Sequence, residues 1–164
     1  MSKTEQHLKE AFAGESQANR KYLAFAKKAD QEGYSRVAKL FRAAAEAETV
    51  HAHAHLKALD GIGSTADNLK AAIDGETFEF KSMYPPMIED AEAEGHKAAV
   101  RSFTYANQVE KIHAELYSKA LEDLDNDQDV TYYVCSVCGY TCEDHAPDEC
   151  PVCGAKAKAF MNVD

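Results

Sequence analysis

Apolar residues recur at alternating steps of four and three positions along three stretches of the first 124 residues. This spacing places them on one face of an α-helix, and Ala, Glu, Lys and Leu are abundant around them. Glycines are scarce: Gly33, Gly61 with Gly63, and Gly95 are natural helix ends, and Ser64 is a suitable N-cap. The pattern predicts four long helices between residue 3 and about residue 124.

Each apolar stripe carries a glutamate in its middle, where a helix core normally has leucine. The stripes are Leu8, Phe12, Glu15, Asn19, Tyr22, Ala26 and Ala29 in the first helix, Val37, Phe41, Ala44, Glu48, His51, His55 and Ala58 in the second, and Ala99, Phe103, Ala106, Glu110, His113, Tyr117 and Ala120 in the fourth. A buried carboxylate is costly unless it is paired or binds a cation. Glutamates at matching depth therefore indicate a shared cation site.

An internal repeat with an offset of 62 residues relates the two halves of this helical region. It aligns Gly33 with Gly95, Phe41 with Phe103, Glu48 with Glu110, His51 with His113 and Leu59 with Leu121. The offset is 61 for Glu15 and Glu76 but 62 for Tyr22 and Tyr84, so the third helix has one additional residue between Glu76 and Tyr84. The additional residue predicts a π-bulge or an equivalent distortion. Pro85 and Pro86 follow directly and are expected to strain the same helix.

Stripes and repeat together predict a dinuclear metal site. A spacing of three residues puts both side chains of a Glu-x-x-His motif on one helix face. One such motif alone occurs by chance on solvated helices, but two copies at the repeat offset favour metal ligands. One glutamate from each of two helices plus one Glu-x-x-His from each of the other two is a known dinuclear ligand set, and it suits iron or manganese. The candidate ligands are Glu15, Glu48, His51, Glu76, Glu79, Glu110 and His113.

The segment ETVHAHAH, residues 48–55, contains three histidines that the helix register separates. His53 lies about 200° around the helix from His51, so it should face away from the site. His55 shares the face of His51, but the second copy of the repeat carries Tyr117 at the equivalent position. His51 is therefore the predicted ligand of the three.

All five cysteines lie between residues 135 and 153, and four of them form two C-x-x-C pairs. An odd number of cysteines in a chain without an export signal indicates metal binding rather than disulfides. Cys135, Cys138, Cys150 and Cys153 are the predicted thiolate ligands of one tetrahedral ion, for which zinc and iron are both suitable. Cys142 is left over and is expected to be a bystander.

The acidic segment DNDQD, residues 125–129, is the predicted linker between two domains. Residues 1–125 are expected to form the helical domain and residues 130–164 a separate cysteine module. Tyr133, Tyr140 and Phe160 are expected to pack around the four-cysteine ion.

The composition restricts the partners. Asp and Glu number 28 against 18 Lys and Arg, giving a net charge of −10, which argues against nucleic acid and against an anionic membrane surface. The N-terminal sequence is polar, and no run of 18 apolar residues occurs, so a cytoplasmic protein is expected. His7 and His145 are expected to lie on the surface.

Several motifs, in this order, resemble those of the rubrerythrin family: the Gly-Glu pairs at Glu15 and Glu76, the phrases AETVH and VEKIH, and the C-terminal YYVCSVCGY and CPVCG. The resemblance covers nearly the whole chain. It implies an all-α ferritin-like four-helix bundle with a small C-terminal rubredoxin-like domain, two iron ions in the bundle and one iron ion bound by the four cysteines. It also implies that Glu48 and Glu110 bridge the two irons.

The resemblance assigns further roles to residues near the helical site. One iron is expected to bind His51 when reduced and Glu79 when oxidised, which would explain the additional acid in the third helix. Tyr22 and Tyr84 are expected to donate hydrogen bonds to ligand carboxylates. Without the resemblance, both tyrosines are equally well interpreted as core residues.

The function implied is the reduction of hydrogen peroxide to water, with electrons entering through the four-cysteine site. The donor is expected to be NADH through a separate reductase, or a rubredoxin, because the chain has no Gly-x-Gly-x-x-Gly motif. A homodimer is expected, because rubrerythrins form dimers that place the rubredoxin centre of one subunit near the di-iron site of the other. The linker of about five residues is also short for the module to reach its own helical site. The alternatives are an iron-handling ferroxidase with a structural zinc knuckle, and a metal-stabilised interaction module.

Overall fold

A computed structural model of the chain describes residues 2–126 and 129–163. Asp127 and Gln128 of the predicted linker lie outside the described residues, as do the first and last residues of the chain. The chain forms two compact units, Met1–Gly63 and Ser64–Asp164. The proposed division into residues 1–125 and 130–164 stays a prediction.

The first unit is a hairpin of two antiparallel helices, α1 (Lys3–Gln31) and α2 (Ser35–Ala58). The side chain of Ser2 caps α1 by accepting a hydrogen bond from the backbone N–H of Glu5. Midway along the hairpin, the Asn19 amide donates to the Ala45 carbonyl at 2.7 Å and to the Thr49 hydroxyl at 2.9 Å. This polar contact fixes the register of the two helices.

The contact between α1 and α2 is one residue out of step with the stripe that the sequence predicts on α2. Ala38, Ala45 and Ala52 are the buried residues of α2, and each follows a member of the predicted stripe. Alanine at every seventh position suits close packing against one neighbouring helix. Glu48 and His51 consequently lie beside the helix contact: Glu48 is half-buried and His51 is exposed.

Three helix ends share one hydrogen-bonding pattern, in which a backbone N–H donates to the carbonyl five residues earlier. After α1, Gly33 has a φ of 83° and the Tyr34 N–H donates to the Ala29 carbonyl. After α2, Asp60 rather than Gly61 adopts the positive φ, at 51°. Gly61 is needed for another reason, because a Cβ there would lie 2.5 Å from a methyl carbon of Leu56.

The helices of the second unit include the predicted irregularity. A π-helix (Glu79–Met83) joins α3 (Thr65–Phe78) to α4 (Tyr84–Ala93), and α5 (Lys97–Glu122) follows. The Tyr84 N–H donates to the Glu79 carbonyl five residues earlier, so the additional residue is absorbed as predicted. Pro85 and Pro86 do not break the helix, because they occupy the first turn of α4, where a missing N–H is tolerated.

Ser64 caps α3 as predicted, since its side chain accepts a hydrogen bond from the Asp67 N–H. The structure thus has the four long helical segments that the sequence predicts, the third being α3, the π-helix and α4 together. Within the described residues, none of the helices has the length and apolar character needed to cross a membrane.

The cysteine module is a small antiparallel sheet in strand order β2-β1-β3. Its strands are β1 (Tyr132–Cys135), β2 (Thr141–Glu143) and β3 (Phe160–Val163), and a 3-10 helix (Ala157–Ala159) precedes β3. A small sheet in addition to the four long helical segments agrees with the predicted fold class, a helical domain with a small rubredoxin-like module.

The sheet packs against α5 within the second unit. The Thr141 hydroxyl oxygen lies 3.0 Å from Nε2 of His113, and Lys119 is hydrogen-bonded to Glu143. The expectation that the short linker prevents this contact is wrong: the module contacts α5, the helix that carries the predicted ligands Glu110 and His113.

Candidate metal centres

The first helical group consists of Glu15 from α1 and of Glu48 and His51 from α2. One ligand atom of each residue lies within 4.8 Å of the others. Nδ1 of His51 is 2.9 Å from a carboxylate oxygen of Glu48. Asn19, one turn after Glu15, aligns the two helices at this depth, which explains why the acids of the two helices meet here.

The second helical group repeats this arrangement with Glu76 from α3 and with Glu110 and His113 from α5. Its ligand atoms also lie within 4.8 Å of one another. Nδ1 of His113 is 2.8 Å from a carboxylate oxygen of Glu110. The internal repeat therefore produces the same geometry twice, with one carboxylate from the first helix of a pair and Glu-x-x-His from the second.

These spacings fit a metal ion. A six-coordinate ion with bonds of about 2.1 Å holds neighbouring ligand atoms about 3.0 Å apart. Both nitrogen-to-oxygen distances, 2.9 and 2.8 Å, are close to this value. Carboxylates with imidazole are also the donor set that iron accepts. The family's two helical irons therefore fit the residues present.

The acids of the second helical group repel one another when no cation is bound. The pKa of Glu76 is raised from 4.5 to about 7. Burial is the largest cause, and the charges of Glu110 and Glu79 contribute to the same shift. Burial and the Glu110 charge also raise the pKa of Glu79, while His113 opposes the shift. Glu79 lies outside the three-residue group but is close enough for its charge to interact with those of Glu76 and Glu110. Two cations would offset this excess of negative charge.

Stability of the metal-free protein should therefore depend on Glu76. Its pKa is raised from 4.5 to about 7 in the folded state, so the folded protein binds more protons between these values and its free energy of unfolding falls as pH rises. Glu76→Gln should increase the free energy of unfolding at pH 8 by roughly 1 kcal/mol after allowance for solvent screening. At pH 4 the substitution should have little effect. Urea unfolding of metal-free protein at both pH values measures the difference.

Asp74→Asn is the matched control for this prediction, because Asp74 is an exposed acid on the same helix. It should leave the stability almost unchanged at both pH values. A gain from Glu76→Gln that is equal at pH 4 and pH 8 would contradict the electrostatic explanation.

Tyr22 and Tyr84 have equivalent aromatic neighbours in the two halves of the repeat. The rings of Tyr22 and Phe41 are 6.1 Å apart, and those of Tyr84 and Phe103 are 6.2 Å apart. Burial raises the pKa of Tyr84, and the charges of Glu79, Glu110 and Glu76 raise it further. The Tyr84 hydroxyl therefore keeps its proton beside the second helical group. That Tyr22 and Tyr84 bind ligand carboxylates stays a prediction.

The remaining histidines lie apart from both helical groups, as far as the described residues show. His53 is exposed, and His55 is half-buried but joins neither group. His7 and His145 are exposed, as predicted.

The four predicted cysteine ligands form one cluster. The Sγ atoms of Cys135 and Cys153 are 3.7 Å apart, and those of Cys138 and Cys150 are 3.5 Å apart. A tetrahedral ion with metal–sulfur bonds of about 2.3 Å separates its thiolates by about 3.8 Å. The cluster thus has the size that one zinc or iron ion requires.

In the first C-x-x-C-G turn, backbone N–H groups point at the cysteine sulfur atoms. Gly139 and Gly154 have φ values of 86° and 74°, which a residue with a side chain rarely adopts. The turn lets the Tyr140 N–H donate to the Cys138 sulfur. Burial opposes ionisation of Cys135, but N–H groups of Val137 and Cys138 outweigh it and lower the pKa. Such N–H donors stabilise thiolates and tune the bound metal.

The aromatic neighbours of the cluster agree in part with the prediction. The rings of Tyr140 and Phe160 pack edge to face at 6.2 Å. Cys142 lies outside the four-cysteine cluster, and burial, followed by the Cys150 charge, raises its pKa. A half-buried thiol of raised pKa is unreactive, which agrees with the predicted bystander role.

Thr141 is the site residue that sequence reasoning missed. It follows the second cysteine by three positions, and no motif marks it. Its contact with His113 depends on how the module packs on α5, which no spacing in the sequence reveals.

Comparison with known proteins adds independent evidence. Residues 6–121 match the family described as rubrerythrin, and residues 133–161 match the rubrerythrin, rubredoxin-like domain. The chain is 37% identical to rubrerythrin-2 of Clostridium acetobutylicum, over 96% of this chain and 95% of the relative. It is also 37% identical to nigerythrin of Nitratidesulfovibrio vulgaris, over 92% of this chain and 81% of the relative.

Solved structures of nigerythrin are similar to this chain as well. The fully reduced, all-ferrous state matches with a TM-score of 0.61 and 34% identity, covering 99% of this chain and 88% of the other. The mixed-valence state matches with a TM-score of 0.60 and the same identity and coverage. Sequence and structure therefore agree on the same group of relatives.

Proposed function

Because this chain belongs to the rubrerythrin family, we propose that it reduces hydrogen peroxide to water at a di-iron site supplied with electrons through a four-cysteine iron site. Members of the family are di-iron proteins that reduce peroxide, and the iron cofactors fit both kinds of centre described above. The observation that carries the proposal is the duplicated group of two glutamates and one histidine, once in each pair of helices.

The proposed ligands of the two irons are the members of both helical groups together with Glu79. Glu48 and Glu110, each paired with the histidine three residues later, are the proposed bridging carboxylates. Iron bound at these residues supplies the two electrons that cleave the O–O bond of hydrogen peroxide. The seven proposed ligands are Glu15, Glu48, His51, Glu76, Glu79, Glu110 and His113.

Reduction of hydrogen peroxide to two waters also consumes two protons, which the solvent supplies, and the chain has hydrogen-bond donors at the site. The Tyr84 hydroxyl keeps its proton because burial and the neighbouring carboxylates raise its pKa. Its role is to donate a hydrogen bond, from Oη, to a ligand carboxylate. Tyr22 has the equivalent position in the first unit and the same proposed role. Glu79 adds an acid at the π-helix that is free of the Glu-x-x-His motifs.

Electrons are proposed to enter at Cys135, Cys138, Cys150 and Cys153. The proposed donors are a rubredoxin, or NADH acting through a separate reductase. The homodimer now rests on the family resemblance alone, because the module contacts its own α5.

His51 should be the histidine of the segment 48–55 that matters. His51→Ala should lower the iron content of the helical site and peroxide turnover by about 10-fold or more, because it removes a ligand. His53→Ala is the control, since His53 is exposed on another face. Iron analysis and peroxide turnover measure both variants, with His55→Ala expected between them. Loss of iron in the His53 variant would show that the helix register is wrong.

Metal analysis with a visible spectrum of freshly prepared protein tests the proposal. Three iron ions per chain and a red colour that is lost on reduction are expected, followed by rapid return of the colour when peroxide is added. A colourless protein with zinc at the cysteines, which oxidises and retains added ferrous iron, would favour an iron-handling ferroxidase instead.

A further inference from the structure

Thr141 contacts Nε2 of His113, the ring nitrogen that faces away from Glu110. The internal repeat has no equivalent of Thr141, because Thr141 belongs to the cysteine module. Its hydroxyl donates a hydrogen bond to the Gly139 carbonyl at 3.0 Å, within the same turn of the cysteine module. A hydroxyl has one proton to donate, so Thr141 Oγ1 can act only as an acceptor toward Nε2 of His113, 3.0 Å away. His113 must therefore donate its Nε2–H to Thr141.

This assignment decides which nitrogen of His113 remains for a metal. In a neutral imidazole with Nε2 protonated, Nδ1 carries a lone pair. Nδ1 lies 2.8 Å from a carboxylate oxygen of Glu110. Two acceptors at this distance repel each other unless Nδ1 takes up a proton or a metal ion binds to both atoms. The hydrogen bond at Nε2 thus leaves Nδ1 as the nitrogen of His113 that can bind a metal ion.

The contact is part of an extended interface along α5. A Cβ placed on Gly139 would lie 3.7 Å from Val109, and Lys119 is hydrogen-bonded to Glu143 two turns beyond His113. Beside it lies a cavity of about 380 Å³ whose lining includes Leu69, Leu116, Val134 and Val163. The apolar lining reduces competition from water for the hydrogen bond between His113 and Thr141.

The first helical group lacks this support within its own unit. In the described part of that unit, residues 2–63, the hydrogen bond of the His51 ring is the one at Nδ1 with Glu48. The side chain of His51 is 57% exposed, whereas that of His113 is 27% exposed. The two histidines are equivalent by the repeat, but they differ in side-chain exposure and in the hydrogen bond at Nε2, which His113 makes with Thr141.

We infer that Thr141 is a positioning residue: it fixes the tautomer and orientation of His113 so that Nδ1 binds metal. The inference rests on the proposed di-iron site. It adds to the cysteine module the role of building part of the helical site.

Zinc binding to the full chain tests this inference without using enzyme activity. Zinc fills the four-cysteine site first, because zinc binds four thiolates more tightly than it binds carboxylates and imidazole. The affinity of the helical groups for further zinc is then measured by competition with a chelator. Thr141→Val keeps the branched shape and removes the hydroxyl, and it should weaken zinc binding about 10-fold. Thr141→Ser restores the hydroxyl and should restore the affinity.

A second measurement observes the hydrogen bond itself. In the zinc-loaded protein, the Nε2–H proton of His113 should be visible by nitrogen-edited NMR and protected from exchange with water. The signal should be lost by exchange in Thr141→Val and retained in Thr141→Ser. Glu143→Gln is the control, because it weakens the same interface at Lys119 and leaves Thr141 intact.

The outcomes separate the inference from the function on which it rests. Wild-type affinity and a protected proton in Thr141→Val would overturn the positioning role. An equal loss in Glu143→Gln would also overturn it, because docking of the module alone would then be responsible. A wild-type protein that binds no metal at the helical groups would refute the proposed function itself.

Discussion

Glu110→Ala is expected to lower peroxide turnover by more than about 100-fold, beyond the loss typical for groups that only support a ligand. Glu110 is the centre of the second helical group: it lies 2.8 Å from His113 and its charge acts on Glu76, Glu79 and Tyr84. Its removal takes away a proposed bridging ligand, so the helical site should lose iron. Metal analysis and turnover with a chemical electron donor measure the effect.

The four-cysteine site should survive this substitution. Its visible spectrum should be unchanged, because none of its ligands comes from α5. Glu115→Ala is the matched control, since Glu115 is an exposed acid on the same helix and its ion pair with Lys111 spans 3.9 Å. Full iron content and turnover in Glu110→Ala would contradict the ligand assignment.

Cys138→Ser should separate the two centres functionally. Its thiolate is one of four in the cysteine cluster, so the variant should lose the red colour and the route for electrons. Turnover supported by a reductase should fall about 100-fold or more. A single turnover should persist when the helical site is reduced chemically beforehand, because its ligands are intact. Stopped-flow mixing with peroxide compares the two conditions.

Cys142→Ser provides the control for this experiment. Cys142 lies outside the cluster and its pKa is raised by burial. The substitution should leave colour and turnover unchanged. Loss of the chemically reduced single turnover in Cys138→Ser would mean that the cysteine-bound iron is also needed to keep Thr141 of the module against His113.

Local patterns in the sequence predicted much of this structure. Helix ends at Gly33 and Gly95, the cap at Ser64 and the π-helix after Phe78 all follow from glycine placement, capping chemistry and one additional residue in a repeat. The two helical groups follow from Glu-x-x-His spacing on one helix face. These features depend on a few residues that are near in sequence, which is why they can be inferred without a structure.

Features that depend on packing between elements were not predicted. The face of α2 that packs on α1 contains Ala45 rather than Ala44. Small side chains at Ala38, Ala45 and Ala52 let the two helices approach closely along this row. Asp60 takes the positive φ expected of a glycine, because Gly61 is needed where the chain passes Leu56. The contact of Thr141 with His113 likewise depends on where the module docks.

Anaerobic single-turnover mixing of the fully reduced, iron-loaded protein with hydrogen peroxide tests the central claim most directly. The protein is predicted to consume one peroxide per di-iron site in a fast phase. Reduced protein with both centres filled that leaves the peroxide unconsumed would contradict the proposed function.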